Sequence, residues 1–562
     1  MFWELRGDRK ILYNHNIVKY EFFEKEKMHM LNEKARRYLA GLLIGTMAFS
    51  MAACNKKEGS TETGNEVKLA AGGVYPIECE DTLTWWGELN LNLSTEVSNL
   101  GETNMAKELE KRTGVKVEYL HPAQGQQAEQ FNLLIASNDL PDLISYNWQG
   151  FGAQMAVDSG YITNLNEPIQ KWAPNLSKVL SENAHYDKMV KTDEGTYYVF
   201  PTLTDGGAAS IYSGPIVRKD WLDKLGMEVP TTIDEFETML RRFKNELGVD
   251  FPLSTVYGML AQTFAPAYGA GHGWFVGNDG KVHFGPVSPG YKEYLTKMNS
   301  WYKEGLLDNN VANTDLKTVE TNLLNDRVGA TLFNAGAGIG KWMNAKATKD
   351  PTFELVGTPV PTMNKGEVQV RFNREWEYIP SVSTAISATC KNLELATRFL
   401  DYGYGEEGRM FYVFGTEGVS YNMVDGEPML TDMIINSEKG ISQALTHYCR
   451  GSYSGPFVGD SRLTMQMQSK PVQAFEAIQT WNNNVDVVTH SLPPISFTEE
   501  EQKELAKLTS EFGTYSAEMI LKFIVGIEPL EKYDEYLAQM EKFNIARALE
   551  IYDQALSRYT ER

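Results

Sequence analysis

Leu83-Thr84-Trp85-Trp86, Val115-Lys116-Val117-Glu118-Tyr119 and Leu143-Ile144-Ser145-Tyr146 are the three short runs on which the fold turns. Each is four or five residues rich in β-branched, aromatic or aliphatic side chains, and the second alternates these with Lys116 and Glu118 at period two. Between them lie two helical patterns. Asn104 to Thr113 is closed by Gly114 at a C′ position, and Gln126 to Ser137 carries Phe131, Leu134 and Ile135 on one stripe before Leu140-Pro141-Asp142 stops it. Strand, helix, strand, helix, strand predicts an α/β fold with a parallel sheet and covering helices. Ligands of such sheets gather beyond the carboxyl ends of the strands. Trp85-Trp86-Gly87-Glu88-Leu89-Asn90 and Asn147-Trp148 are expected there.

Further along, a second α/β region begins near Thr204. Pro230-Thr231-Thr232-Ile233-Asp234-Glu235-Phe236 predicts a helix start, with Thr as cap and acids in the first turn. Trp274 to Phe284 predicts a hairpin around Asn278-Asp279-Gly280. The chain from Glu499 to Arg562 reads as helices with short breaks. A chain of 562 residues can bury at least two cores.

The beginning of the chain reads as a processing signal. Lys34, Arg36 and Arg37 precede an uncharged, largely apolar run from Tyr38 to Ala53. That run suits a signal-peptide core and is short for a membrane span. It ends in Met51-Ala52-Ala53-Cys54, which resembles a bacterial lipobox with Met in place of the usual leucine. Lipidation is expected on Cys54. Residues 1–53 are therefore read as an upstream extension and lipoprotein signal peptide, with translation expected to begin at Met28 or Met30. Residues 54–81 are polar and Gly-rich and are read as a flexible tether.

Composition excludes several classes. The net charge of −21 opposes binding to nucleic acid or to an anionic membrane surface, and it mildly disfavours highly anionic ligands unless local charge overrides it. Beyond Cys54, three cysteines remain, Cys79, Cys390 and Cys449. There is no C-x-x-C, so one disulfide is open but unassigned. Gly336-x-Gly338-x-Gly340-Lys341 lacks the first glycine and the Ser or Thr of a phosphate loop. The eight histidines form no H-E-x-x-H. No cofactor is expected.

Several longer segments resemble family 1 extracellular solute-binding lipoproteins of ABC importers, the maltose- and alginate-binding-protein type. They are Gln130 to Asp142, Val217-Arg218-Lys219-Asp220-Trp221-Leu222-Asp223-Lys224-Leu225-Gly226 with Val229-Pro230-Thr231-Thr232, Phe399-Leu400-Asp401-Tyr402-Gly403-Tyr404 with Glu407-Gly408, Gly415 to Val419, and Val525-Gly526-Ile527-Glu528-Pro529-Leu530. The resemblance runs from about Leu83 to the end. It implies a two-lobed periplasmic-binding-protein-like fold with a hinge and an interlobe ligand cleft. It also implies delivery of the ligand to ABC permease subunits, by a protein anchored through lipid to the outer face of the cytoplasmic membrane. Residues 82–203 plus about 328–390 are assigned to lobe 1, and 204–327 plus about 391–562 to lobe 2. Where relatives carry a calcium loop, this chain reads Asn245-Glu246-Leu247-Gly248-Val249-Asp250-Phe251-Pro252, and two acids fall short of the six or more oxygens calcium takes. No metal site is expected.

The ligand is expected to be an oligosaccharide, because sugars want flat aromatic platforms ringed by polar groups. The candidates for ligand binding are Trp85, Trp86, Glu88, Asn90, Asn147, Trp148, Trp274, Asn334, Trp376 and Tyr378. Arg371 is read as part of a solvated loop. A catalytic role is not expected, and the protein is read as a monomer. A surface carbohydrate-active enzyme using paired carboxylates, or a ligand sensor without transport, would carry many of the same residues.

Overall fold

The computed structural model describes residues 64–562 except 72, 207–210, 373–376, 451–454, 468–470 and 488. The extension, signal peptide and Cys54 lie outside the described residues. The first eleven strands are β1 (Thr82–Trp86), β2 (Lys116–Leu120), β3 (Leu143–Ser145), β4 (Phe200–Leu203), β5 (Ser213–Arg218), β6 (Trp274–Val276), β7 (Val282–Phe284), β8 (Ala330–Asn334), β9 (Leu355–Gly357), β10 (Gln369–Val370) and β11 (Tyr378–Ile386). The last four are β12 (Tyr421–Val424), β13 (Glu427–Leu430), β14 (Phe457–Val458) and β15 (Val485–Asp486).

Lobe 1 is built on a six-stranded sheet of order β14-β4-β11-β3-β1-β2. β1 runs parallel to β2 and β3, β14 runs parallel to β4, and β11 is antiparallel to both β3 and β4. The carboxyl ends of β1, β2, β3, β4 and β14 therefore share one edge. Local chemistry sets the connections. Thr103 caps the helix Asn104–Thr113 by accepting from Ala106 N at 3.1 Å. Gly114 ends that helix at φ 75°, and a Cβ there would meet the Ile77 carbonyl oxygen at 2.1 Å, so both the turn and the close approach demand glycine. The helix Gln127–Ser137 ends on Asn138 in the left-handed region, ahead of Leu140-Pro141.

Lobe 2 holds the three-stranded sheet β8-β5-β9, antiparallel throughout. Its sheet and the helix Val472–Asn482 enclose a small core around Ile216, Trp342, Leu355 and Trp481. A larger core packs Phe236, Phe243, Phe264, Tyr294 and Trp301 against the long helix Glu499–Val525. The helix Ile233–Leu247 starts at a capping box, with Thr232 and Glu235 each bonding the other's backbone N–H. The final helix, Ile545–Glu561, spans both lobes: Ala548 and Ile551 enter that larger core, while Ala555 and Tyr559 enter the core of lobe 1, the first core.

Where the chain passes between the first sheet and lobe 2, it does so at the carboxyl edge of that sheet. One crossing leaves from the end of β4, one enters at Glu377 before β11, and one leaves after β14.

Two expected boundaries are corrected. Residues 328–390 do not all join lobe 1. β8 and β9 pair with β5 in lobe 2, and only the part from Tyr378 onward returns to the first sheet. Conversely, Leu395, Phe399, Tyr412, Phe414 and Phe457 pack in the first core, so about 391–467 belongs to lobe 1 rather than lobe 2. The tether is also shorter than expected. Lys68 bridges to Glu78, Asn65 bonds Asp81, and Ile77 is buried with its N–H on the Thr113 carbonyl at 2.7 Å, so these residues lie against the body.

Candidate functional site

The carboxyl edge of the first sheet is furnished by the loops that leave it. Glu88 is exposed just beyond β1. Asn90 is half-buried, and its Oδ1 accepts from Asn92 N (2.9 Å) and Leu93 N (3.3 Å). Asn147 is exposed beyond β3 and caps the next helical turn by accepting from Gly150 N at 2.9 Å. Beneath them His121 braces two loops. Its Nε2 accepts from Leu100 N at 3.1 Å, so its Nδ1 is the donor to the Gly87 carbonyl at 2.8 Å. Burial pushes its pKa down and keeps that ring neutral.

Across the crossings, antiparallel pairing brings Ser213 at the start of β5, Asn334 at the end of β8 and Thr358 after β9 to the same end of the second sheet. Asn334 is half-buried there, its backbone paired with Ser213. On the flank of the crossings, a groove of about 680 Å³ is lined from both lobes. His185 and Lys188 come from lobe 1, Val276 and Lys281 from the β6–β7 hairpin, and Tyr559 from the last helix. His185 Nε2 lies 3.1 Å from a carboxylate oxygen of Glu377, on the second crossing. The volume falls within the roughly 300–1,000 Å³ usual for small-molecule sites.

The expected aromatic platforms are placed differently. Trp85, Trp86 and Trp148 are buried in the first core, at 2%, 4% and 0% exposure. Trp85 donates to Ser145 Oγ (2.8 Å) and Trp148 to the Ile144 carbonyl (3.1 Å). Phe131, stacked on Tyr146, meets both Trp86 and Trp148. Tyr378 is buried with its hydroxyl 2.9 Å from that of Tyr198. Trp274 is half-buried and stacks on Tyr552 at 3.9 Å, joining the β6–β7 hairpin to the last helix. These five are packing residues in this structure. Trp376 lies outside the described residues. Of the ten candidates, Glu88, Asn90, Asn147 and Asn334 are the ones brought to the strand ends with polar atoms at or near the surface.

The profile of bacterial extracellular solute-binding proteins matches residues 98–410, more than half of the chain. The chain belongs to that family. Its sequence is 25% identical over 560 residues, 92% of this chain and 97% of the relative, to the fructooligosaccharide ABC transporter substrate-binding protein FusA of Streptococcus pneumoniae serotype 4. It is 25% identical over 340 residues, 57% of this chain and 64% of the relative, to the lipoprotein LipO of Bacillus subtilis. Among solved structures, FusA with kestose covers 86% of this chain and 100% of its own, with TM-score 0.69 at 22% identity. The alginate-binding protein AlgQ2 without calcium covers 85% and 98%, with TM-score 0.69 at 23% identity. These two likenesses establish the two-lobed fold of this solute-binding protein.

Two further features follow from the geometry of the solute-binding protein. In the segment Asn245–Pro252, Glu246 is engaged by Arg242 and Asp250 lies 3.3 Å from Arg327, so both acids already face cations. No cluster of three or more metal-ligating side chains occurs among the described residues. Arg371, read from sequence as solvated, is instead 2% exposed. Its N–H donates to the Asp486 carbonyl (2.9 Å) and its Nη1 to the Ser213 carbonyl (3.0 Å), tying β10, β15 and β5 together at the crossings. Nothing local in Val370-Arg371-Phe372 signals this. The burial arises from three strands that are far apart in sequence.

Proposed function

We propose that this protein is the extracellular capture component of an ABC importer for oligosaccharides. It closes its lobes on the sugar, hands it unchanged to permease subunits, and works as a monomer held by lipid at Cys54. The observation that carries the reading is the end-to-end match with FusA, which spans nearly the whole of both chains, on a fold whose two lobes meet at the strand ends. Polar groups at those ends suit hydroxyl recognition, with Glu88, Asn147 and Asn334 as the first contacts. A lipid anchor agrees with the likeness to LipO and with the Met51-Ala52-Ala53-Cys54 run.

Uptake of labelled oligosaccharides by the native cells tests the importer role. Deleting the gene is expected to abolish uptake of one oligosaccharide series, and Cys54→Ala is expected to release the protein to the medium and reduce uptake. Unchanged uptake of every sugar in the deletion strain, or conversion of a sugar by the purified protein, would contradict the reading.

A further inference from the structure

Two arginines of lobe 2 are equally buried and differently served. Arg218, 2% exposed, donates twice to the carboxylate of Asp220 (2.8 and 2.6 Å) and once to that of Asp326 (2.6 Å). Arg371, also 2% exposed, has no carboxylate within ion-pair distance among the described residues. Its Nη1 meets the Ser213 carbonyl, while its buried Nε has no hydrogen-bond partner. The neighbouring acid, Asp486, is turned elsewhere, accepting from Thr489 N at 3.3 Å and lying 3.9 Å from His490 Nε2. Burial alone acts on the guanidinium and pulls its pKa down to about 10.

A guanidinium offers five N–H donors and stays charged at neutral pH. Burying that charge is costly unless an anion answers it, and a single carbonyl does not. The group stands at the end of the second sheet where the crossings meet, beside Ser213 and its partner Asn334. We propose that Arg371 binds a carboxylate carried by the ligand, so that the captured oligosaccharide contains an acidic sugar such as a uronic acid. This rests on the oligosaccharide-capture reading above. A hydroxyl of a neutral sugar would satisfy the orphaned Nε but would leave the charge unanswered. A carboxylate does both, in the planar two-point geometry that suits arginine. The negative surface does not oppose this, because charges more than about 8 Å away are screened at physiological salt.

Isothermal titration of the purified full chain tests the proposal. The probes are short oligouronides of several linkages, the same oligosaccharides with carboxyls reduced to alcohols, and neutral fructooligosaccharides. One acidic series is expected to bind, and its reduced counterpart to bind roughly ten- to hundred-fold more weakly. Arg371→Gln is expected to erase the preference, so that the acidic ligand and its reduced form bind with equal affinity. The unliganded variant is expected to unfold no earlier than the wild type, because it removes an unanswered buried charge. Should the variant fail to fold, the wild-type comparison of acidic and reduced ligands decides alone. Binding of neutral oligosaccharides with no preference for the carboxylate overturns this proposal and leaves capture standing. Failure of every oligosaccharide to bind overturns both.

Discussion

At the scale of the residue, Trp85 and Trp86 show what strand patterning can and cannot convey. Adjacent strand residues point to opposite faces, yet both are buried. A largely parallel sheet is covered by helices on both sides, so alternation gives no solvent face for either ring. The strand was legible; the accessibility of its rings was not. Exposed Glu88 and buried Trp148 should therefore respond oppositely to truncation. Trp148→Ala is expected to cost about 3–5 kcal/mol in denaturant unfolding, as for other large core aromatics. Glu88→Ala is expected to stay within about 0.5 kcal/mol of wild type while weakening oligosaccharide binding in calorimetry. A stable Trp148→Ala protein that loses binding would return the tryptophan to the site.

At the scale of the element, helix starts were readable where the cap is local, as with Thr232 and Glu235, and unreadable where it is distant. The helix Pro174–Glu182 follows Ala173, which has no capping side chain. Its first N–H groups are met instead by Asp401, which accepts from Asn175 N (3.2 Å), Asn175 Nδ2 (2.9 Å) and Leu176 N (2.8 Å). Burial outweighs these bonds and pushes the Asp401 carboxyl up to about 7. The folded state thus holds a proton that the unfolded chain, with an ordinary aspartate near 3.9, has released. Between about pH 4 and pH 7 this group makes the protein less stable as pH rises, and above pH 7 its penalty is complete. Asp401→Asn is expected to flatten that part of the stability profile. Asp401→Ala is expected to lose about 1–3 kcal/mol by orphaning buried donors. Chemical denaturation across this pH range checks both; a wild-type slope retained in Asp401→Asn would refute the assignment. The segment 64–81 carries the same lesson: it reads as tether because its anchors, Thr113, Lys391 and Asn392, are remote in sequence.

At the scale of the whole molecule, the α/β class, the hairpin at Asn278-Asp279-Gly280 and the helical end were legible, since each rests on short-range periodicity or turn chemistry. The division into lobes was not legible, because it depends on which strands pair across long separations. β8 and β9 look no different in sequence from β11, yet they complete β5 while β11 completes β3 and β4. Arg371 was missed for the same reason. The site is a product of the crossings, and only a fold that brings the ends of β4 and β14 and the start of β11 to one edge creates it. That arrangement is the basis for capture by closure, and thermal unfolding of the purified protein across oligosaccharides, peptides and small polar solutes tests it most directly. A ligand that prefers the native state must raise the midpoint, by an amount equivalent to about 2.7 kcal/mol at a hundred times its dissociation constant. The account predicts a rise with one oligosaccharide series and none with peptides; a rise with peptides alone, or with nothing in the panel, would contradict it.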